Sequence, residues 1–120
     1  MARILAVEDD ASVGPYLRKV LAAEGHVIDL ARDGRDGLQK LGQGSYDVVV
    51  VDLLMPVMSG FEFLEALEAR TPQIPTIITS GIVLPGVHDY LKTRPRMRIL
   101  SKPYTPEDLV QAIDDLLGEA

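Results

Sequence analysis

Acidic side chains follow two apolar runs of this sequence. Glu8 and Asp9 come directly after the run at 4–7, and Asp52 follows four consecutive valines. Carboxylates that lie close together repel one another unless a cation sits between them. A set of hard oxygen ligands without His or Cys suits Mg²⁺, which keeps some of its waters and prefers one or two carboxylates together with a phosphate oxygen. The acids therefore predict a magnesium site beside an anionic ligand.

Hydroxyl groups and a lysine follow two further apolar runs. Thr79 and Ser80 end the run that opens at Pro75, and Lys102 comes shortly after the run at 98–100. In phosphoryl transfer, a metal and a fixed cation neutralise the equatorial oxygens while a nucleophile lies in line. Asp52 is the available nucleophile, because carboxylates form aspartyl phosphates. These residue types predict transfer of a phosphoryl group to Asp52.

The elements that must position these residues alternate between strand and helix. Short apolar runs predict strands at 4–7, 27–31, 47–51, 75–79 and 98–100, and the first and third read as strands covered on both faces. Helical spacing of apolar residues predicts helices at 12–24, 33–41 and 61–69, a fourth over 82–94 that Pro85 and Gly86 shorten, and a fifth capped by Thr105. We expect an α/β fold, a doubly wound five-stranded parallel sheet of flavodoxin-like order 2-1-3-4-5 with helices on both faces.

The predicted strand order brings the candidate residues to one edge of the sheet. Ligands of open parallel sheets bind outside the carboxyl ends of the strands. The first, third, fourth and fifth strands are neighbours in the order 2-1-3-4-5. We therefore expect the acids, a hydroxyl group and the lysine to share one cleft.

Composition limits the class of protein further. The chain has 120 residues, the size of one domain, so we expect residues 1–120 to form a single domain. Its net charge of −6 argues against nucleic-acid binding, since phosphates need a basic surface. It has no Cys, which excludes disulfides and thiolate chemistry. No apolar run is long enough to cross a membrane and no signal-peptide pattern follows Met1, so we expect a cytoplasmic protein.

Four pieces of the sequence resemble the receiver domain of two-component response regulators, over nearly the whole chain. The pieces are 7–10, 52–60, 75–81 and 102–103, and the second follows the pattern Asp-x-x-Met-Pro-x-Met-x-Gly. The resemblance implies a switch that takes a phosphoryl group from a sensor histidine kinase or a histidine phosphotransfer protein. It implies self-catalysed phosphorylation and slow dephosphorylation rather than an enzyme acting on other substrates.

The resemblance also assigns roles at the predicted site. Asp52 matches the phosphoacceptor, and Lys102 matches the lysine that pairs with the phosphoryl group. Asp9 matches a direct Mg²⁺ ligand together with Asp52, Glu8 acts on the metal through water, and the carbonyl of Leu54 is the backbone ligand.

The switch hydroxyl and the output surface follow from the same resemblance. Ser80 stands five residues after Pro75, as the family's switch hydroxyl does, and Thr79 is the second choice. The resemblance implies that phosphorylation changes the surface around the fourth helix, fifth strand and fifth helix. It also allows for a homodimer that forms on phosphorylation. Ile99 stands where the family often has Tyr or Phe, so we expect output without an aromatic switch at that position. The sequence identifies no kinase and no output target.

Three other functions compete with this interpretation. A haloacid-dehalogenase-like phosphatase needs a second Asp two residues after its nucleophile, and Leu54 stands there. A flavodoxin would bring its cofactor phosphate against Glu8 and Asp9, which would repel it. A degenerate receiver that only binds proteins would be expected to lose Asp52 or Lys102, and both are present.

Overall fold

The computed structural model describes residues 2–10, 12–53, 60–71, 73–81 and 86–118, in which strands and helices alternate. The strands are β1 Arg3–Val7, β2 Val27–Ala31, β3 Val48–Asp52, β4 Thr76–Ser80 and β5 Met97–Ser101. The helices are α1 Val13–Ala23, α2 Gly34–Gln43, α3 Gly60–Arg70, α4 Val87–Lys92 and α5 Pro106–Gly118. None of these helices is long and apolar enough to cross a membrane.

All five strands are parallel and lie in the order β2-β1-β3-β4-β5, which confirms the predicted fold. Helices cover both faces of the sheet. On one face, α1 and α5 bury Leu17, Leu21, Leu109, Ile113 and Leu116. On the other face, α2, α3 and α4 contribute Leu38, Leu41, Phe63, Leu64, Leu67 and Val87. The central strand β3 is buried along its whole length because both of its faces are covered.

Two strands begin and end one residue later than the sequence predicts. The run at 47–51 becomes β3 Val48–Asp52, because Asp52 pairs with Thr79 of β4, while Asp47 precedes the strand and bonds to Arg3 through its N–H at 2.7 Å and its carboxylate at 2.8 Å. The run at 75–79 becomes β4 Thr76–Ser80, since Pro75 has no N–H to donate to the ladder. Asp52 and Ser80 are therefore the last residues of their strands.

Local signals set most helix ends where the sequence predicts them. Gly25 follows α1 with a φ of 83°, a conformation that glycine adopts without strain. At the start of α5, the Thr105 hydroxyl accepts the Asp108 N–H at 3.1 Å and the Asp108 carboxylate accepts the Thr105 N–H at 3.0 Å. Helix α4 has six residues, shorter than the predicted 82–94, and it begins after Gly86 at a φ of 84°. Pro85 lies outside the described residues.

The inner face of α3 differs from the prediction. Helical spacing favours Phe61, Leu64 and Leu67, but the structure buries Phe63 completely and Phe61 only in part. Helix α2 lies so close that a Cβ on Gly37 would stand 2.9 Å from the Phe63 ring. The neighbouring helix thus turns α3 so that Phe63 fills the space above the sheet.

We predict that Phe63→Ala lowers the free energy of unfolding by about 3–5 kcal/mol, because a fully buried aromatic ring leaves a cavity. Phe61→Ala serves as the matched control and should cost clearly less, since its ring is partly exposed. Urea unfolding followed by circular dichroism measures both. Equal losses would contradict the packing described for α3.

Candidate functional site

The carboxyl ends of four strands bring the candidate residues together. Glu8 follows β1, Asp52 and Ser80 end β3 and β4, and Lys102 follows β5. The register places Asp52 opposite Thr79 on the neighbouring strand, and Ser80 opposite Ser101. Backbone bonds continue past the strand ends, since the Lys102 N–H donates to the Ser80 carbonyl at 2.8 Å. The site therefore sits on the end of a hydrogen-bonded sheet.

Lys102 pairs with the two buried acids of this edge and offsets part of their charge. Its Nζ lies 2.8 Å from Asp52 Oδ2 and 3.4 Å from Glu8 Oε2. The side chains of Glu8 and Asp52 are only 5% and 10% exposed, while that of Lys102 is 29% exposed. Buried charges are tolerated where they are paired, so the ammonium group allows two carboxylates to stay this close.

The chemistry of the donor set fits Mg²⁺. Glu8, Asp9 and Asp52 each offer a carboxylate oxygen, and these oxygens all lie within 4.8 Å of one another. Asp9 is exposed whereas Asp52 is buried, so the group spans from solvent to the sheet edge. Hard oxygen donors at this spacing with an open side suit a cation that retains water and takes a phosphate oxygen. Leu54, the expected backbone ligand, lies outside the described residues.

The pKa values of Glu8 and Lys102 reflect this arrangement. Burial raises the pKa of Glu8 above its usual range, although the Asp10 N–H at 3.1 Å and the charge of Lys102 act against it. Partial burial acts to lower the pKa of Lys102, but the hydrogen bond to Asp52 and the charge of Glu8 outweigh it and raise the pKa. Lys102 is therefore a permanent cation at neutral pH, while Glu8 holds its charge at a cost that a bound cation would relieve.

Asp10 has a different role from its two neighbours. Its Oδ1 accepts the Ser12 N–H at 2.9 Å and the Ser12 hydroxyl at 2.7 Å. These hydrogen bonds lower the pKa of Asp10. The carboxylate is thus occupied by Ser12, the residue at the N-cap position of α1.

Thr79 and Ser80 are both buried at this edge, 2% and 3% exposed. The Thr79 hydroxyl points back along the sheet and donates to the Val51 carbonyl at 3.5 Å. Ser80 is the last residue of β4 and is followed by exposed Gly81. The position of Ser80 at the strand end favours it as the hydroxyl that can reorient, and its role stays a prediction.

A groove runs beside the site along the start of α1. Its volume is about 450 Å³, and Asp10, Val13, Tyr16, Pro103 and Tyr104 line it together with Lys102. Helical spacing places Tyr16 among the apolar residues of α1, but its side chain is 45% exposed. The sequence gives no direct signal for this groove, because the loop after β5 forms its second wall.

Comparison with known proteins gives one consistent family. The sequence model of the response regulator receiver domain matches residues 4–114. The chain is 32% identical to the transcriptional regulatory protein PcoR of Escherichia coli, over 100% of this chain and 53% of that protein. It is 32% identical to the response regulator MprA of Mycolicibacterium vanbaalenii, over 88% of this chain and 53% of that protein. The chain thus spans about half the length of these relatives.

Solved structures agree with this assignment. The chemotaxis protein CheY4 of Vibrio cholerae has a TM-score of 0.89 and 31% identity, covering 98% of this chain and 99% of that chain. A CheY-like receiver domain protein of Methanospirillum hungatei has a TM-score of 0.91 and 26% identity, covering 99% of this chain and 95% of that chain.

We predict that Asp9→Ala weakens Mg²⁺ binding by at least about tenfold, because it removes a direct carboxylate ligand. Asp10→Asn is the matched control, since it removes one nearby negative charge from a side chain that already bonds to Ser12. Calorimetric titration of both variants with MgCl₂ measures the affinities. An equal loss of Mg²⁺ affinity in Asp10→Asn would mean that Asp9 is not the specific carboxylate ligand within the acidic run.

We predict that Lys102→Met lowers the free energy of unfolding at pH 7 by about 1–3 kcal/mol, since it leaves two buried carboxylates without their cation. Lys102 acts to lower the pKa of Glu8, so without it the folded-state pKa of Glu8 rises further and the folded protein binds a proton that the unfolded chain does not. The difference in the free energy of unfolding between Lys102→Met and the wild type should therefore shrink as the pH falls from 7 to 5 and as MgCl₂ is added. Urea unfolding at several pH values tests this, and a loss that grows toward pH 5 would contradict it.

Proposed function

The chain belongs to the response regulator receiver domain family, whose members serve phosphorylation-dependent signalling, and we propose that its switch is phosphorylation of Asp52 with Mg²⁺. The observation that carries this proposal is the environment of Asp52. It ends a fully buried central strand, with Lys102 Nζ at 2.8 Å and oxygens of Glu8 and Asp9 within 4.8 Å. A nucleophile, a fixed cation and a metal-binding oxygen set thus meet at one sheet edge.

The reaction needs little beyond positioning and charge. A carboxylate oxygen of Asp52 attacks the phosphorus of a phosphohistidine donor, the P–O bond forms as the P–N bond breaks, and the departing imidazole takes up a proton. Lys102 holds Asp52 in place and then pairs with a phosphoryl oxygen. Asp9, Asp52 and the Leu54 carbonyl would hold Mg²⁺ directly, and Glu8 through water. When bound, the ion neutralises charge on the phosphoryl oxygens.

The donor that fits this site is a protein carrying a phosphorylated histidine, either a sensor histidine kinase or a histidine phosphotransfer protein. The groove between the start of α1 and residues 102–104 opens beside Lys102 and exposes Tyr16. Aromatic residues next to an apolar groove are typical of protein contacts. A helix of the donor seated there would bring its histidine to the end of β3.

The output leaves the site through the loop after β4. A phosphoryl group adds about −1.5 to −2 charge and three acceptor oxygens. The Ser80 hydroxyl can donate to one of them, with Thr79 as second choice, and its movement changes the path of the backbone at Gly81. The change then reaches α4, β5 and α5, where an output domain, a target protein or a second copy in a homodimer reads it.

We further propose a cytoplasmic switch rather than an enzyme, formed by one receiver domain over residues 1–120. It catalyses its own phosphorylation and slow dephosphorylation, and it contacts neither membrane nor nucleic acid through this domain. The net charge of −6 supports the last point.

We expect a mass gain of one phosphoryl group when the protein is incubated with acetyl phosphate and MgCl₂, because the small donor replaces the phosphohistidine. Asp52→Asn should abolish the gain, Asp10→Asn should keep it, and chelation of Mg²⁺ should prevent it. Intact-mass spectrometry and a peptide map check all four results. Label on a histidine would overturn the assignment, and rapid multiple turnover of the donor would favour an aspartyl-nucleophile phosphatase.

We predict that Ser80→Ala leaves phosphorylation largely intact but removes most of the change in amide hydrogen exchange over residues 82–100. Thr79→Val is the matched control and should keep that change, since the Thr79 hydroxyl already bonds to the Val51 carbonyl. Exchange with and without beryllofluoride, a mimic of the phosphoryl group, measures both. The reverse result would make Thr79 the switch residue.

A further inference from the structure

Three side chains on the far side of the molecule from α1 join α3 to the end of α4. Tyr90 of α4 donates its hydroxyl to Glu68 Oε1 of α3 at 2.9 Å. Arg94, just after α4, pairs with the same carboxylate through its Nε and through its Nη2 at 3.4 Å. We call Glu68, Tyr90 and Arg94 the latch. A fork of two N–H donors on one carboxylate is geometrically specific, so the latch favours one placement of α4.

Packing reinforces the latch. The Arg94 guanidinium lies 3.7 Å from the centre of the Tyr90 ring, and the Phe61 ring of α3 meets that ring edge-on at 6.0 Å. Arg94 also donates to the Tyr90 carbonyl at 2.9 Å. Burial and the bond to Glu68 raise the pKa of Tyr90 to about 12, so its hydroxyl remains a donor at neutral pH. The side chains of Glu68 and Arg94 are about one-third exposed, which leaves the latch able to open.

The place of the latch in the topology connects it with the site. Helix α3 is the element that follows β3, which ends in Asp52, and α4 is the element that follows β4, which ends in Ser80. Glu68 lies in the last turn of α3, and Tyr90 and Arg94 lie at the end of α4. The latch thus joins the two helices at the ends remote from the carboxyl ends of β3 and β4. A displacement of α4 that starts at Ser80 must either carry α3 with it or break the latch.

We propose that the latch holds α4 in its unphosphorylated position, and that its opening is the step that phosphorylation of Asp52 must drive. This proposal rests on the proposed function of the site. The proposal also explains how the signal can leave the site although Ile99 provides no aromatic side chain. Tyr90 supplies one instead, and it packs against the same apolar cluster as Ile99. An interaction made only in the unphosphorylated arrangement stabilises that arrangement. It therefore makes phosphorylation less favourable, by the same free energy by which phosphorylation weakens the interaction.

The test compares Arg94→Gln with Lys92→Gln, two variants that each remove one positive charge near the end of α4. Lys92 pairs with Asp89 in a surface ion pair whose side chains are 73% and 80% exposed, and such pairs contribute little. Tyr90→Phe is a third variant, since it keeps the ring and removes only the bond to Glu68. Amide hydrogen exchange over residues 86–93 is measured without ligand, and half-saturation by beryllofluoride is measured at fixed MgCl₂.

Arg94→Gln should speed exchange in α4 severalfold without ligand and should lower the beryllofluoride concentration for half-saturation severalfold. Tyr90→Phe should do the same to a smaller extent, and Lys92→Gln should behave as wild type. Unchanged exchange in α4 would show that the latch does not restrain the helix. Faster exchange with unchanged half-saturation would show that the latch is only structural. Either of these two results would overturn the proposal about the latch if beryllofluoride still binds to the protein. If the wild-type protein bound no beryllofluoride, the proposed function would be overturned as well.

Discussion

The pairing of Lys102 with two buried carboxylates is the interaction on which the site depends. Glu8 and Asp52 end or follow neighbouring strands, so the parallel sheet forces their charges together at an edge where water is largely excluded. An ammonium group at 2.8 Å makes that proximity tolerable but does not neutralise the whole acidic group. The residual negative charge suits the edge to a divalent cation, which under the proposed function would in turn attract a phosphoryl group.

Under the proposed function, the sheet is the scaffold that couples this charge balance to a switch. Asp52 and Ser80 are the last residues of adjacent strands, so each is rigid on one side and followed by a loop on the other. Phosphorylation of Asp52, as proposed, would therefore leave the sheet unchanged while it moved the segments beyond the strand ends. The segment after β4 leads into a helix of six residues, and a helix so short depends on tertiary contacts for its position. That dependence explains why the contacts of Tyr90 and Arg94 with α3 matter more here than they would for a longer helix.

Particular elements show why some expectations held and others did not. The central strand β3 was predictable because four consecutive valines beside acids leave little choice of structure, and the capped start of α5 was predictable because Thr105 and Asp108 bond to each other locally. The inner face of α3 was predicted with Phe61 in place of Phe63, since both positions fit a helical stripe and the approach of α2 at Gly37 decided between them. The strand predicted at 75–79 begins one residue later because Pro75 has no N–H to donate, and the strand predicted at 47–51 ends one residue later because Asp52 pairs with Thr79.

The sequence by itself determined the order of strands and helices, the family, and the residue types at the ends of the strands, because these depend on patterns within a few residues of one another. Only the tertiary structure decided which of those residues meet. Lys102 reaches across 50 residues to Asp52 and 94 to Glu8, and Arg94 reaches back 26 residues to Glu68. Such contacts have no local signature, since each is the result of strand register, helix rotation and the burial of a shared core. The sequence therefore predicts a site for phosphoryl transfer, and the packed chain decides that Lys102 pairs with its acids and that Tyr90 and Arg94 contact Glu68 of α3.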